Sequence, residues 1–140
     1  YDRLHTREIE VYGGVVKNEE KLKKGLQEIE NLKEASKDLD VRPDSEGYQD
    51  LMLAFDLQAS LVSSESTLIS ALSREESRGA HQRDDYKKIN NDFNVNMRVK
   101  FDSDENILLS KDKVPALKKE LEGLITNTKE IDNFEGMLLE

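Results

Sequence analysis

The chain contains no cysteine and only two histidines, His5 and His81. Disulfides, iron–sulfur clusters and thiolate zinc sites are therefore excluded, and a histidine-rich metal site has little to be built from. A chain without cysteine also fits a reducing compartment, though weakly. Long apolar runs are scarce. Stretches such as Ile107-Leu108-Leu109 fall far short of the ~20 residues that a membrane-spanning helix needs, and no segment resembles a signal peptide. A basic stripe is missing as well. Lys and Arg total 21 against 30 Asp and Glu, and the resulting net charge of −9 repels nucleic acid. Gly13-Gly14 has no strand before it and belongs to no G-x-G-x-x-G or Walker pattern, so it reads as a helix break.

At 140 residues the chain is one domain, or one domain with an appendage. Apolar and charged residues each make up 36%, and the mean hydropathy is −0.75, which suits a thin helical bundle with much exposed surface. Disorder is disfavoured because the apolar residues recur at helical spacing. The segment Leu4–Tyr12 reads as a short first helix. Asn18 then reads as an N-cap, with Glu19 and Glu20 in the first turn where the helix dipole favours carboxylates. The second helix carries Leu22, Leu26, Ile29, Leu32, Ala35 and Leu39 in one apolar stripe, with Lys33, Glu34, Lys37 and Asp38 on a solvated face. It stops before Pro43.

A third and longest helix is expected from a cap at Asp44 or Ser45. Its seam runs through Leu51, Phe55, Leu61, Val62, Leu68, Ile69 and Leu72 over roughly four heptads. The spacing predicts a mainly α fold: an antiparallel three-helix up-down-up bundle, spectrin-repeat-like, over residues 1–93. Residues 94–140 are expected to form a β-hairpin and a short helix. Val95, Met97, Val99 and Phe101 alternate with polar residues, and Ile107-Leu108-Leu109 returns after a polar turn. Pro115 opens a helix bearing Leu117, Leu121, Leu124 and Ile125. Because the chain begins at Tyr1, without Met and partway into a helical pattern, an excised fragment is expected.

Most candidate chemistry has a plainer reading. Glu19/Glu20, Glu75/Glu76 and Asp84/Asp85 are adjacent carboxylates that point different ways on a helix, and they read as solvated charge. Asp102, Asp104 and Asn106 have the opening spacing of a calcium loop, but Ile107 occupies the position that requires Gly, so they read as a turn. Ser63, Ser64, Ser66 and Ser70 lie mid-helix without a nucleophile elbow, which sets aside a hydrolase reading with His81. His81, beside Arg78, Arg83 and Asp84, suits either an anion site or, preferably, a structural histidine in a salt-bridge network.

The stretch from Ser73 to Tyr86 is the richest in the chain. As chemistry it reads as a helix C-terminus. Gly79 is the left-handed closing residue, and Arg74, Arg78, His81 and Arg83 sit near the exposed carbonyls. As a pattern, Arg74-Glu75-Glu76-Ser77-Arg78-Gly79-Ala80-His81-Gln82-Arg83-Asp84-Asp85-Tyr86 resembles the signature of the C-terminal helical domain in succinate dehydrogenase and fumarate reductase flavoprotein subunits. L-aspartate oxidase and adenylylsulfate reductase are relatives in the wider family. Tyr12–Leu22 resembles the family's turn into its second helix, with Lys17 where Arg is usual. Asn91-Asp92-Phe93 continues the match, and Lys87 stands where the family usually has Pro.

The resemblance implies a parent enzyme that interconverts succinate and fumarate with FAD and passes electrons to an iron–sulfur subunit at the cytoplasmic face of a membrane. It implies no catalytic, cofactor-binding or metal residue within this chain, and no membrane insertion of the chain itself. For Arg78, Gly79, His81, Arg83 and Asp84 it implies a polar network that docks the helical domain against the flavin-binding domain. A free-standing acidic interaction module and an L-aspartate oxidase parent are the alternatives.

Overall fold

The computed structural model describes residues 11–41, 48–103 and 106–122. Strand β1 (Val16–Lys17) leads into helix α1 (Glu19–Ser36), and the long helix α2 (Gln49–Ser73) follows. Strand β2 (Gln82–Arg83), a 3-10 turn at Asn91–Phe93, strands β3 (Val95–Phe101) and β4 (Ile107–Lys113) and a short helix α3 (Lys119–Glu122) complete the order. Of the expected first helix, only Val11 and Tyr12 are described, and both are helical. Its earlier part, from Leu4, lies outside the described residues.

Helix α1 starts as its sequence dictates. The Asn18 side chain accepts the Lys21 backbone N–H at 2.9 Å, and Glu19 and Glu20 occupy the first turn. Its buried stripe is Leu22, Gly25, Ile29 and Leu32, and it meets Leu61, Ser64, Leu68 and Ala71 of α2. Leu26, Leu57 and Leu72 pack at the edges of this core. The helices run antiparallel, since Gly25 lies against Leu68 while Lys33, farther along α1, reaches back to Glu65 of α2 at 2.5 Å. Lys33 is therefore part of an inter-helix ion pair rather than merely solvated. A Cβ at Gly25 would sit 2.6 Å from Tyr12 Cβ and 3.1 Å from Leu68 Cδ1, so only glycine lets the Tyr12 segment cross here.

The predicted seam of α2 needs correction. Leu61 and Leu68 are buried and Leu72 is partly so, but Leu51, Phe55 and Val62 are exposed, Phe55 by 65%. α2 has 25 residues and α1 has 18. At 1.5 Å per residue the long helix outruns its partner by roughly 10 Å, and Leu51, Met52, Leu53 and Phe55 lie in this overhang. Deeper in the pair, Ser64 takes a seam position that an apolar-only pattern skips. The start of α2 also differs from the expected cap at Asp44 or Ser45, which fall outside the described residues. Gln49 follows Tyr48, whose φ of +56° is left-handed and whose side chain makes no cap hydrogen bond.

The hairpin forms with Val95 opposite Lys113 and Phe101 opposite Ile107, and β4 runs on past Leu109 to Lys113. Val95, Met97 and Val99 share the partly buried face, and the hairpin lies against α2. Asp102 closes the turn by accepting the Asn106 backbone N–H at 2.9 Å and its side-chain amide, so its carboxylate is spent on structure. Pro115 is not in a first helical turn, because α3 begins only at Lys119. Leu117 and Leu121 are exposed, and Leu124 and Ile125 lie outside the described residues.

Candidate functional site

α2 ends at Ser73 because Arg74 turns extended, with φ −90° and ψ 97°. The helix therefore stops well before Gly79, which is not its closing residue. Gly79 instead sits in a tight turn where Arg78 and His81 exchange backbone hydrogen bonds of 2.9 and 3.0 Å. Its φ of +56°, at the first central position of that turn, is the type II′ requirement that glycine meets without strain.

The extended backbone decides which charges meet. Residues two apart on an extended chain point the same way, and Arg74, Glu76 and Arg78 do so. Glu76 is 0% exposed. Its Oε1 accepts from Arg74 Nη1 at 2.6 Å and Arg78 Nε at 2.9 Å, and its Oε2 accepts from Arg78 Nη2 at 3.1 Å and the Asn90 N–H at 2.8 Å. Burial pushes the Glu76 carboxyl up, but the hydrogen bonds from Arg78, Asn90 and Arg74 outweigh it and hold the group down at about 2. Arg74 also donates to the carbonyls of Phe93 and Val95 at 2.9 and 2.6 Å, fastening the end of α2 to the start of the hairpin.

Arg83 and Asp85 form the second node, again two residues apart. Arg83 is 2% exposed and grips Asp85 through two bonds of 2.7 Å. Its Nη1 also donates to the carbonyls of Ala71 and Leu72, in the last turn of α2, and of Arg74, just beyond it, at 2.8, 3.2 and 3.3 Å. Asp85 in turn accepts the Glu19 N–H at 2.8 Å, at the first turn of α1. One ion pair thus places a cation at the negative end of α2 and an anion at the positive end of α1. The Arg83 hydrogen bonds hold the Asp85 carboxyl at about 2, against a smaller opposing effect of burial. The parallel pairing of β1 with β2 aligns the two segments, with Lys17 opposite Arg83. Ser77, also buried, accepts the Arg83 N–H at 2.8 Å and donates to the Tyr86 carbonyl.

Of the predicted docking residues, Arg78, His81 and Arg83 come together around these nodes. Asp84 does not join through its side chain. It is exposed, and it contributes only its backbone N–H, to the Lys17 carbonyl at 2.9 Å. Gly79 stands exposed at the turn tip. His81 is half-buried, with Nε2 at 3.2 Å from the Arg74 carbonyl. Burial lowers its pKa, and the nearby charges of Lys17, Arg83 and Arg74 lower it further, while the carbonyl contact opposes them.

The comparisons with known proteins agree with this architecture. A family model described as fumarate reductase flavoprotein C-term matches residues 6–128. The chain belongs to this succinate dehydrogenase/fumarate reductase flavoprotein C-terminal family. An uncharacterized FAD-dependent oxidoreductase of Methanocaldococcus jannaschii is 33% identical over 89 residues, covering 64% of this chain and 16% of that protein. A chain of the E. coli quinol fumarate reductase superposes with a TM-score of 0.72 at 25% identity, over 84% of this chain and 21% of that one. A chain of the Mycobacterium smegmatis Sdh1 complex gives 0.75 at 23% identity, over 91% and 22%. The chain thus spans a sixth to about a fifth of the relatives it matches.

Members of a flavoprotein family invite a test for flavin among these residues. The glycine pair lies just before α1, but the N-terminus of that helix, where a pyrophosphate would rest, is already filled by Asp85 and the Asn18 cap. The residues present do not fit the cofactor there. Among the described residues no cluster of His, Asp and Glu is arranged to hold a metal ion, and no helix is long and apolar enough to cross a membrane.

The sequence reading passed over Glu76, Asp85 and Lys17. Glu76 and Asp85 read as solvated because a helical frame splays adjacent carboxylates. The available signal was the alternating Arg74-x-Glu76-x-Arg78 and Arg83-x-Asp85, which pair only in an extended frame.

Proposed function

We propose that this chain is the C-terminal structural and docking domain of an FAD-dependent succinate dehydrogenase or fumarate reductase flavoprotein subunit. Flavin and substrate chemistry then belong to the rest of the subunit. The observation that carries the reading is the spending of the signature's charges. Arg74, Arg78 and Arg83 are committed to Glu76, Asp85 and backbone carbonyls, an arrangement that holds a helix end, a helix start and a hairpin in one geometry. The exposed apolar overhang of α2, with Leu51, Met52, Leu53 and Phe55, supports a surface on which another domain rests. On this reading the partners are the flavin-binding domain of the same subunit and, through the whole subunit, an iron–sulfur protein at the cytoplasmic face of a membrane.

The test is Arg78→Ala in the full-length parent and, separately, in this chain. The Glu76 that Arg78 grips lies within this chain, so both are expected to lose thermal stability, and the parent to lose flavin content and activity with it. A parent that kept its stability and flavin yet lost turnover would make Arg78 a catalytic residue and overturn the structural role.

A further inference from the structure

The charge network leaves one cation over. Arg74 and Arg78 share Glu76, and Arg83 has Asp85, but Lys17 has no carboxylate within ion-pair distance among the described residues. Lys17 is only 9% exposed, and its ammonium donates to the Val15 carbonyl at 3.3 Å. A buried charge without a counter-charge is costly, and burial accordingly lowers the Lys17 pKa. The side chain borders an open cleft of about 630 Å³ between β1, the last turns of α2 and β3. Arg74, Ala80, His81 and Asn96 are on its walls, and among the described residues no Asp or Glu lines it. The hydroxyl of Ser70, also on the wall, donates to the Ser66 carbonyl. The cleft therefore gathers positive charge within a chain of net charge −9.

We propose that this cleft is a binding site for a small oxyanion, a carboxylate or a phosphate, with the Lys17 ammonium as its charge partner and His81 beside it. The site follows from the leftover charge and not from the docking role, so either reading can fail alone.

His81 supplies the readout. Its imidazole C–H resonances would be followed by NMR in this 140-residue chain, titrating pH with acetate, with inorganic phosphate and with chloride at matched ionic strength. A bound anion offsets the charges of Lys17, Arg83 and Arg74, so the expected result is a saturable rise in the His81 pKa with acetate or phosphate beyond that with chloride. Saturation by acetate assigns a carboxylate site, and saturation by phosphate alone assigns a phosphate site. Lys17→Met should weaken binding about tenfold or more, whereas Lys17→Arg should retain it. Should Lys17→Met fail to fold, Ala80→Glu places a carboxylate at the rim of the cleft and should abolish binding by occupying it. Equal effects of all three salts, or unchanged affinity in folded Lys17→Met or in Ala80→Glu, would overturn the proposal.

Discussion

Glu76 holds two arginines on one carboxylate, and that ratio decides what its substitutions do. Removing it in Glu76→Ala takes away the carboxylate that Arg74 and Arg78 share and that accepts the Asn90 N–H. Breaking a buried pair of this kind costs ~3–5 kcal/mol. Glu76→Gln keeps the volume and one good acceptor but loses the charge, and charge-assisted hydrogen bonds are worth ~1.5–3 kcal/mol. The order expected from urea unfolding at pH 7 is wild type, then Gln, then Ala, and an Ala variant within half a kcal/mol of wild type would refute the node. Arg83→Lys belongs beside it. A lysine there can pair with Asp85 but cannot also reach the three carbonyls that Arg83 Nη1 serves. Its loss should appear as faster hydrogen exchange in the last turn of α2.

The helix pair separates what patterning specifies from what it cannot. Leu22, Ile29, Leu32, Leu61 and Leu68 are legible because they recur at helical spacing and have a partner helix opposite. Phe55 recurs just as regularly, but nothing in its own helix reveals that α1 ends short of it. Leu61→Ala should therefore cost ~2–5 kcal/mol, since Leu61 is 3% exposed, while Phe55→Ala should fall within ~0.5 kcal/mol. Equal losses would show that the overhang is covered. Gly25 was illegible for a related reason, as its role lies in Tyr12 crossing it. Gly25→Ala gains up to ~1 kcal/mol of helix propensity but forces a Cβ to 2.6 Å from Tyr12, and overpacking of this kind costs ~1–3 kcal/mol. Net destabilisation is expected in thermal melts. The Arg74–Tyr86 loop was recognisable as a pattern, yet its wiring was hidden because a helical frame was laid over residues that are extended.

Glu76, Asp85 and His81 act with one sign on the stability of the whole chain. The Glu76 carboxyl falls from 4.5 to about 2 on folding, so its contribution is complete above pH 4.5 and is lost as pH falls toward 2. Asp85 behaves alike between 3.8 and about 2. His81 is lowered from 6.5, so the unfolded chain takes its proton first and stability declines as pH drops below 6.5. An opposing effect comes from the net charge of −9, because acidification toward the pI near 4.8 relieves repulsion. From pH 7 to 5 relief of diffuse surface charge works against His81, and the curve should be shallow. Below pH 4.5 the balance tips, because the Glu76 shift alone corresponds to roughly 3 kcal/mol and further protonation now adds net positive charge. Urea midpoints measured from pH 7 to pH 2.5 should therefore fall steeply only below about 4.5. In Glu76→Gln the curve should begin lower at pH 7 yet descend less steeply there, since no carboxyl remains at that node to take up the proton. Parallel curves for the two proteins would mean that acid acts elsewhere, and that Glu76 does not anchor this end of the fold.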